Sequence, residues 1–187
     1  MKKLCFLTLF CSILFLFACG DDDTVVQLDP IVFYDSGEYL LQATCVGDDI
    51  EFFLDVIIDT TDDSRGTFPD SDIYRVYVDY NNNKIIDANV DMLFSPLSDG
   101  RICRALLLTD NSTTACTFSD DITGETLFST TENAGVAHTN HRFRVPKNVL
   151  SSDSEIGVVV ELYNPEFGWT TLPIGGDVLG RSIRVSW

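Results

Sequence analysis

The chain has 187 residues, 12 Lys and Arg against 29 Asp and Glu, and a formal net charge of −17 at pH 7, with 45% hydrophobic residues. That length supports one domain with a proper core. Such a negative charge argues against nucleic acid or an anionic lipid face as partner, and it suits affinity for divalent cations.

The first segment, "MKKLCFLTLFCSILFLFACGDDD", reads as targeting information. Lys2 and Lys3 form a positive n-region, and Leu4 to Phe17 form an uncharged apolar run of signal-peptide length. A transmembrane helix needs about 20 apolar residues, so this run is short for a span. Leu16-Phe17-Ala18-Cys19 resembles a bacterial lipoprotein cleavage box. The resemblance implies cleavage after residue 18, acylation of Cys19 and anchoring to outer-membrane lipid; an ordinary secretory signal is the alternative. Several acyl chains on one residue anchor stably where a single chain does not. Gly20-Asp21-Asp22-Asp23 resembles the acidic tract of surface-exported lipoproteins of Bacteroidetes-type bacteria, or else is a solvated spacer. Residues 1–18 are thus expected to be a signal, 19–30 a lipidated tether ending at Pro30, and 31–187 a single domain. All 29 acids follow Cys19 while two of the 12 bases precede it, so the mature chain is more negative still.

Beyond the tether the apolar pattern has a period of two. "EYLLQATCV" (38–46) is strand-like, and "DIEFFLDVIID" (49–59) sets Ile50, Phe52, Leu54, Val56 and Ile58 on one face with Phe53 and Ile57 on the other. Residues 59–72, "DTTDDSRGTFPDSD", read as an irregular solvated loop around Gly66 and Pro69. Its Asp62, Asp63, Asp70 and Asp72 would alternatively meet Asp79 or make a second, weak cation site. "DIYRVYVDY" (72–80) resumes the alternation, with Tyr74, Val76, Val78 and Tyr80 on one side and Arg75, Tyr77 and Asp79 on the other.

The next stretch, "YVDYNNNKIIDANVDMLF" (77–94), carries the spacing of a calcium loop. Calcium takes six to eight oxygens, supplied in such loops at positions 1, 3, 5, 7, 9 and 12. Counting from Asp79 gives Asp79, Asn81, Asn83, the Ile85 carbonyl and Asp87, but Val90 at the closing position, with Asp91 one residue late. Position 6 is Lys84 where such loops use Gly, and its Cβ and its charge both count against an ion. The competing reading is a plain hairpin turn, since Asn tolerates left-handed backbone.

Further strand-like runs are 90–96, 101–108, 114–118, 125–130, 135–146, 155–163 and 181–187, with one helical turn at Pro146–Leu150 where Pro suits a first position. Of six cysteines, Cys5 and Cys11 leave with the signal and Cys19 takes lipid, leaving three. Cys103 and Cys116 flank a turn signal at 109–112 and would face each other across a hairpin, with Cys45 as a buried thiol; pairing of Cys45 with either is the alternative. His138 and His141 would face opposite sides of a strand, which disfavours a transition-metal site; His138 is expected to be exposed, with Arg142 and Arg144 pairing surface acids. "ELYNPEFGWTTLPIGGD" (161–177) reads as an aromatic loop. Its Tyr163, Phe167 and Trp169 would grip a sugar ring by stacking, or Trp169 would plug one end of the core.

About nine strands with almost no helix predict an all-β antiparallel β-sandwich, immunoglobulin- or jelly-roll-like. The order "IEFFLDVIID", acidic loop, "IYRVYVDYNNNKIIDANVDMLF", then "HRFRVPKNVL" and "EIGVVVELYN", resembles family-9 carbohydrate-binding modules and DOMON-type domains over residues 38–164. That resemblance implies sugar binding, although the paired tryptophans of the sugar-binding members have no counterpart here. No catalytic elbow, HExxH or phosphate loop is present, so an enzyme is not expected. The sequence therefore points to a non-catalytic, surface-exposed outer-membrane lipoprotein binding a glycan, with calcium stiffening the 79–91 loop. A structural or adhesion lipoprotein that binds an envelope protein is the alternative.

Overall fold

The structure is a computed structural model describing residues 30–63, 70–97, 101–150, 155–173, 179 and 182–187. The expected signal, Cys19 and most of the tether lie outside the described residues, as do Gly66, Pro69 and the 174–178 end of the aromatic stretch.

Among the described residues eleven strands and one helical turn follow one another. They are β1 (Ile31–Asp35), β2 (Tyr39–Val46), β3 (Asp49–Val56), β4 (Ile73–Asp79), β5 (Met92–Pro96) and β6 (Ile102–Leu106). Then come β7 (Thr123–Thr131), β8 (Ala134–Pro146), α1 (Lys147–Leu150), β9 (Glu155–Asn164), β10 (Gly168–Leu172) and β11 (Ile183–Ser186). One antiparallel sheet has the order β1-β2-β3-β8-β7; the other runs β10-β9-β4-β5-β6, with β11 also pairing β9. The all-β antiparallel sandwich expected from the alternation is what forms.

The core lies between the sheets, where the alternation puts it. Val76 and Val78 of β4, Phe94 of β5 and Val158 and Val160 of β9 meet Leu41, Phe52, Leu54 and Phe143 of the first sheet. Phe52 and Phe143 sit opposite each other in register and stack at 5.7 Å. Phe94 crosses from the other sheet to within 5.0 Å of Phe143, so one aromatic cluster joins both layers. Strand β9 is buried from Ile156 to Val160 because it is flanked on both edges and faces the core. Gly124 of β7 gives room to the buried Tyr74 ring, since a Cβ there would collide with the tyrosine oxygen.

Three local expectations change. Residues 31–35 form a strand, β1, whose half-exposed apolar residues carried little periodicity. The aromatic stretch is a hairpin of β9 and β10 joined by a turn at 165–167, because Gly168 takes φ +77° and lets the chain reverse. Residues 114–118 make one isolated bridge, Arg104–Thr117, preceded by another at Leu107–Thr113, and not a full strand, since four of these five side chains are exposed and only Thr114 is half-buried.

Cys103 and Cys116 are disulfide-bonded, with Cα atoms 5.2 Å apart, and Cys45 is buried in the core outside that bond. The bridge fastens the largely exposed 109–117 segment to β6. Replacing both cysteines by Ser should lower unfolding free energy by about 3 kcal/mol, the loss expected when a loop of this size is no longer closed. Denaturant unfolding of the two forms measures it.

Candidate functional site

The 79–91 loop joins β4 to its antiparallel neighbour β5, so its ends are held by Val78–Met92 pairing. Asp79 and Asp91, one at each end, are both completely buried. Asp79 Oδ1 accepts the Asn83 N–H at 3.1 Å and its Oδ2 accepts the Lys84 N–H at 2.7 Å. Lys84 nonetheless takes φ +67°, the left-handed conformation that position 6 of a calcium loop requires. Its side chain is exposed, so the ammonium lies in solvent. Asp91 accepts the Tyr80 N–H at 2.9 Å and the Asp87 N–H at 2.6 Å. Burial, with the charges of Asp79 and Asp87, pushes the Asp91 carboxyl up against these two donors. The side chains of Asn81 and Asn83 converge on Asp87 Oδ2, each at 2.7 Å. Ile85 stands outside, exposed, with its N–H on Asn83 Oδ1 at 2.8 Å. All six residues singled out from sequence thus belong to one compact loop. The loop also closes on its own N–H groups, so its fold does not demand an ion.

The aromatic residues assemble differently. Tyr163 of β9 and Trp169 of β10 are register partners, their rings 5.2 Å apart. They lie on the outer face of their sheet, and Trp169 is 43% exposed; it does not plug the core. Phe167, 50% exposed, stands on the turn between the strands, and Asn164 Oδ1 accepts its N–H at 3.0 Å. The guanidinium of Arg75 sits 4.4 Å from the Trp169 ring centre. Arg75 reaches Glu161 at 3.5 Å, and Tyr77 donates to the same carboxylate at 2.8 Å. Burial and Glu161 raise the Tyr77 phenol to about 12, so it stays a donor.

The outer face therefore presents a ring platform beside a row of fixed polar groups. Comparisons with protein families, curated proteins and solved structures return no match. Arg75, Tyr77 and Glu161 escaped the sequence reading, though the alternation placed Arg75 and Tyr77 opposite the core-facing Tyr74, Val76 and Val78. What it lacked was the β4–β9 register, which sets Arg75 against Glu161.

The histidines are corrected. His138 is completely buried, not exposed, because the β7–β8 turn folds over it and Asp55. Its Nε2 is 2.5 Å from Asp55 Oδ1 and its Nδ1 2.8 Å from the Val136 carbonyl. Thr131 and Asn133 each donate to Asp55 Oδ2 at 2.9 Å. A His–Asp pair of this geometry is a general-base arrangement elsewhere, but here no substrate can reach it. His141 is buried beside Tyr74 at 4.8 Å, and burial depresses its ring to about 3, so it is neutral. Arg144 pairs with Glu51 at 2.9 Å as expected, whereas Arg142 lies over Phe53. These arginines, with Glu51 and Glu125, border a groove of about 320 Å³ on the other sheet.

Of the acids in the 59–72 loop, Asp63 and Asp72 come together, and they do so with Asp59, not with Asp79. Asp72 and Asp79 flank β4 at opposite ends, so they cannot share an ion.

Proposed function

We propose that this chain is a non-catalytic glycan-binding β-sandwich, displayed at the outer-membrane surface through lipid on Cys19. The observation that carries the reading is the half-exposed Trp169, paired with Tyr163 and bordered by Arg75 and Glu161 on a sheet face. Sugar rings stack on aromatic faces through their apolar C–H sides while their hydroxyls need nearby donors and acceptors. Trp169 and Tyr163 offer the first, and Arg75, Glu161 and the Tyr77 hydroxyl offer the second. Both sets sit on β-strands, so the platform exists before the ligand arrives and little ordering entropy is lost on binding. The cleavage box and acidic tract supply the address, and the likeness to carbohydrate-binding sandwiches agrees with it.

Calcium is part of the same proposal as a structural ion. Asp79, Asn81, Asn83 and Asp87, with the Ile85 carbonyl, would hold it between β4 and β5, and Asp91 closes the loop from behind. An all-oxygen donor set suits a hard cation.

Trp169→Ala should weaken binding to the cognate polysaccharide at least about tenfold, a loss of roughly 1.4 kcal/mol. Because Trp169 is surface-placed, folding should be kept, which circular dichroism checks. Affinity electrophoresis across a polysaccharide panel is the measurement. Equal retardation of variant and wild type would remove the platform. Absence of any sugar binding, together with capture of a purified envelope protein, would replace the glycan by a protein partner.

A further inference from the structure

We propose a second divalent-cation site, able to take calcium, formed by the carboxylates of Asp59, Asp63 and Asp72 at the end of the sandwich opposite the 79–91 loop. One oxygen from each lies within 4.8 Å of the others, close enough for one ion to meet all three. Acidic clusters commonly occur without ions. This one differs in what its oxygens lack. Asp59 is completely buried, yet its Oδ2 has no hydrogen-bond partner among the described residues, and the buried Asp63 Oδ1 has none either.

The site is also rigidly built around those bare oxygens. Asp59 Oδ1 is occupied by the Thr61 N–H at 3.2 Å, which fixes the carboxylate plane. The Asp59 carbonyl receives the Thr139 N–H at 3.0 Å, tying the loop to β8. Asp72 Oδ2 accepts from the Thr139 hydroxyl at 2.8 Å and its Oδ1 from Asn164 at 3.1 Å. Asp63 and Asp72 each bring a carboxylate oxygen within 4.8 Å of the other, and like charges so close repel unless one holds a proton or a cation stands with them. Buried, unpaired carboxylate oxygens are costly, and a divalent cation removes that cost for Asp59 and Asp63 at once while offsetting their repulsion with Asp72. The 79–91 loop contrasts: there each buried carboxylate oxygen already accepts an N–H.

The test uses the full chain after chelator treatment, with CaCl2 alone as probe and thermal unfolding as readout at pH 8. Asp87→Asn, which removes a ligand from the 79–91 loop, is the background, so that the calcium shift it keeps belongs to the second site. This form should melt several degrees higher in millimolar calcium. Adding Asp63→Asn should leave the protein folded, melting no lower without calcium, and abolish that shift; adding Asp72→Asn should do the same and serves if the Asp63→Asn form is unstable. The proposal is overturned if the Asp87→Asn form shows no shift, or if the shift survives the added Asp63→Asn or Asp72→Asn.

Discussion

Asp55→Ala should destabilise the domain by about 3 kcal/mol, the cost of leaving buried hydrogen-bonding groups without their shared partner. Asp55 and His138 are both completely buried. Removing the carboxylate leaves the fully buried His138 Nε2 without its partner and takes an acceptor from the half-buried Thr131 hydroxyl and the exposed Asn133 amide. The ring nitrogen gave up water on folding and would get nothing in return. Small domains are stable by only about 5–15 kcal/mol, so the variant should be close to unfolding at 37 °C. Replacing both residues, Asp55→Val with His138→Phe, should recover much of the loss, since a buried pair exchanged for apolar groups of similar size is often close to neutral. Urea unfolding of the two variants reads both effects. A loss below about 1 kcal/mol for Asp55→Ala would show that the pair does not hold the β7–β8 turn down.

The second large effect is on pH. Burial and the neighbouring Asp63 and Asp59 raise the Asp72 carboxyl from 3.8 to about 8. The folded state therefore keeps a proton that the unfolded chain gives up near pH 4, and folding loses stability as pH rises from there towards 8. His141 acts with the opposite sign. Its ring is depressed from 6.5 to about 3, so the unfolded state gains by protonation as pH falls below 6.5. Between about 4 and 6.5 the two slopes oppose each other. Between about 6.5 and 8 the Asp72 slope runs without the opposing His141 slope, and chelated protein should lose several degrees of melting temperature across that window. Asp72→Asn should flatten this fall and leave the His141 slope unopposed by Asp72 between about 4 and 6.5. Calcium should also suppress it, because a cation replaces the proton among Asp59, Asp63 and Asp72. An unchanged melting temperature from pH 6.5 to 8 in chelator would contradict the assignment.

The parts legible in the sequence were those set by period and spacing. Alternation alone placed Phe52, Leu54, Val76 and Val78 in the core, because a strand buried on one face leaves no other choice. The Cys103–Cys116 bridge followed from a local turn. The six residues of the 79–91 loop were found because contiguous Asx residues announce their own geometry. Lys84 was the residue most against that geometry, and the backbone adopts it anyway, since N–H bonds to Asp79 offset the strain of a left-handed lysine. What the sequence hid depends on register between distant strands. Arg75 meets Glu161 and Trp169 only once β4, β9 and β10 are laid side by side. Asp59 joins Asp63 and Asp72 only when the loop folds back over β8, and His138 is sealed by a turn that no periodicity reveals.

The glycan platform is tested most directly by amide chemical shifts of the isotopically labelled chain during titration with soluble oligosaccharides of a polysaccharide it retains. The largest changes should fall on Arg75, Tyr77, Glu161, Tyr163, Phe167 and Trp169, with the Glu51–Arg144 groove on the opposite sheet unmoved. Changes centred on that groove, or none on β9 and β10 at saturating sugar, would contradict the account.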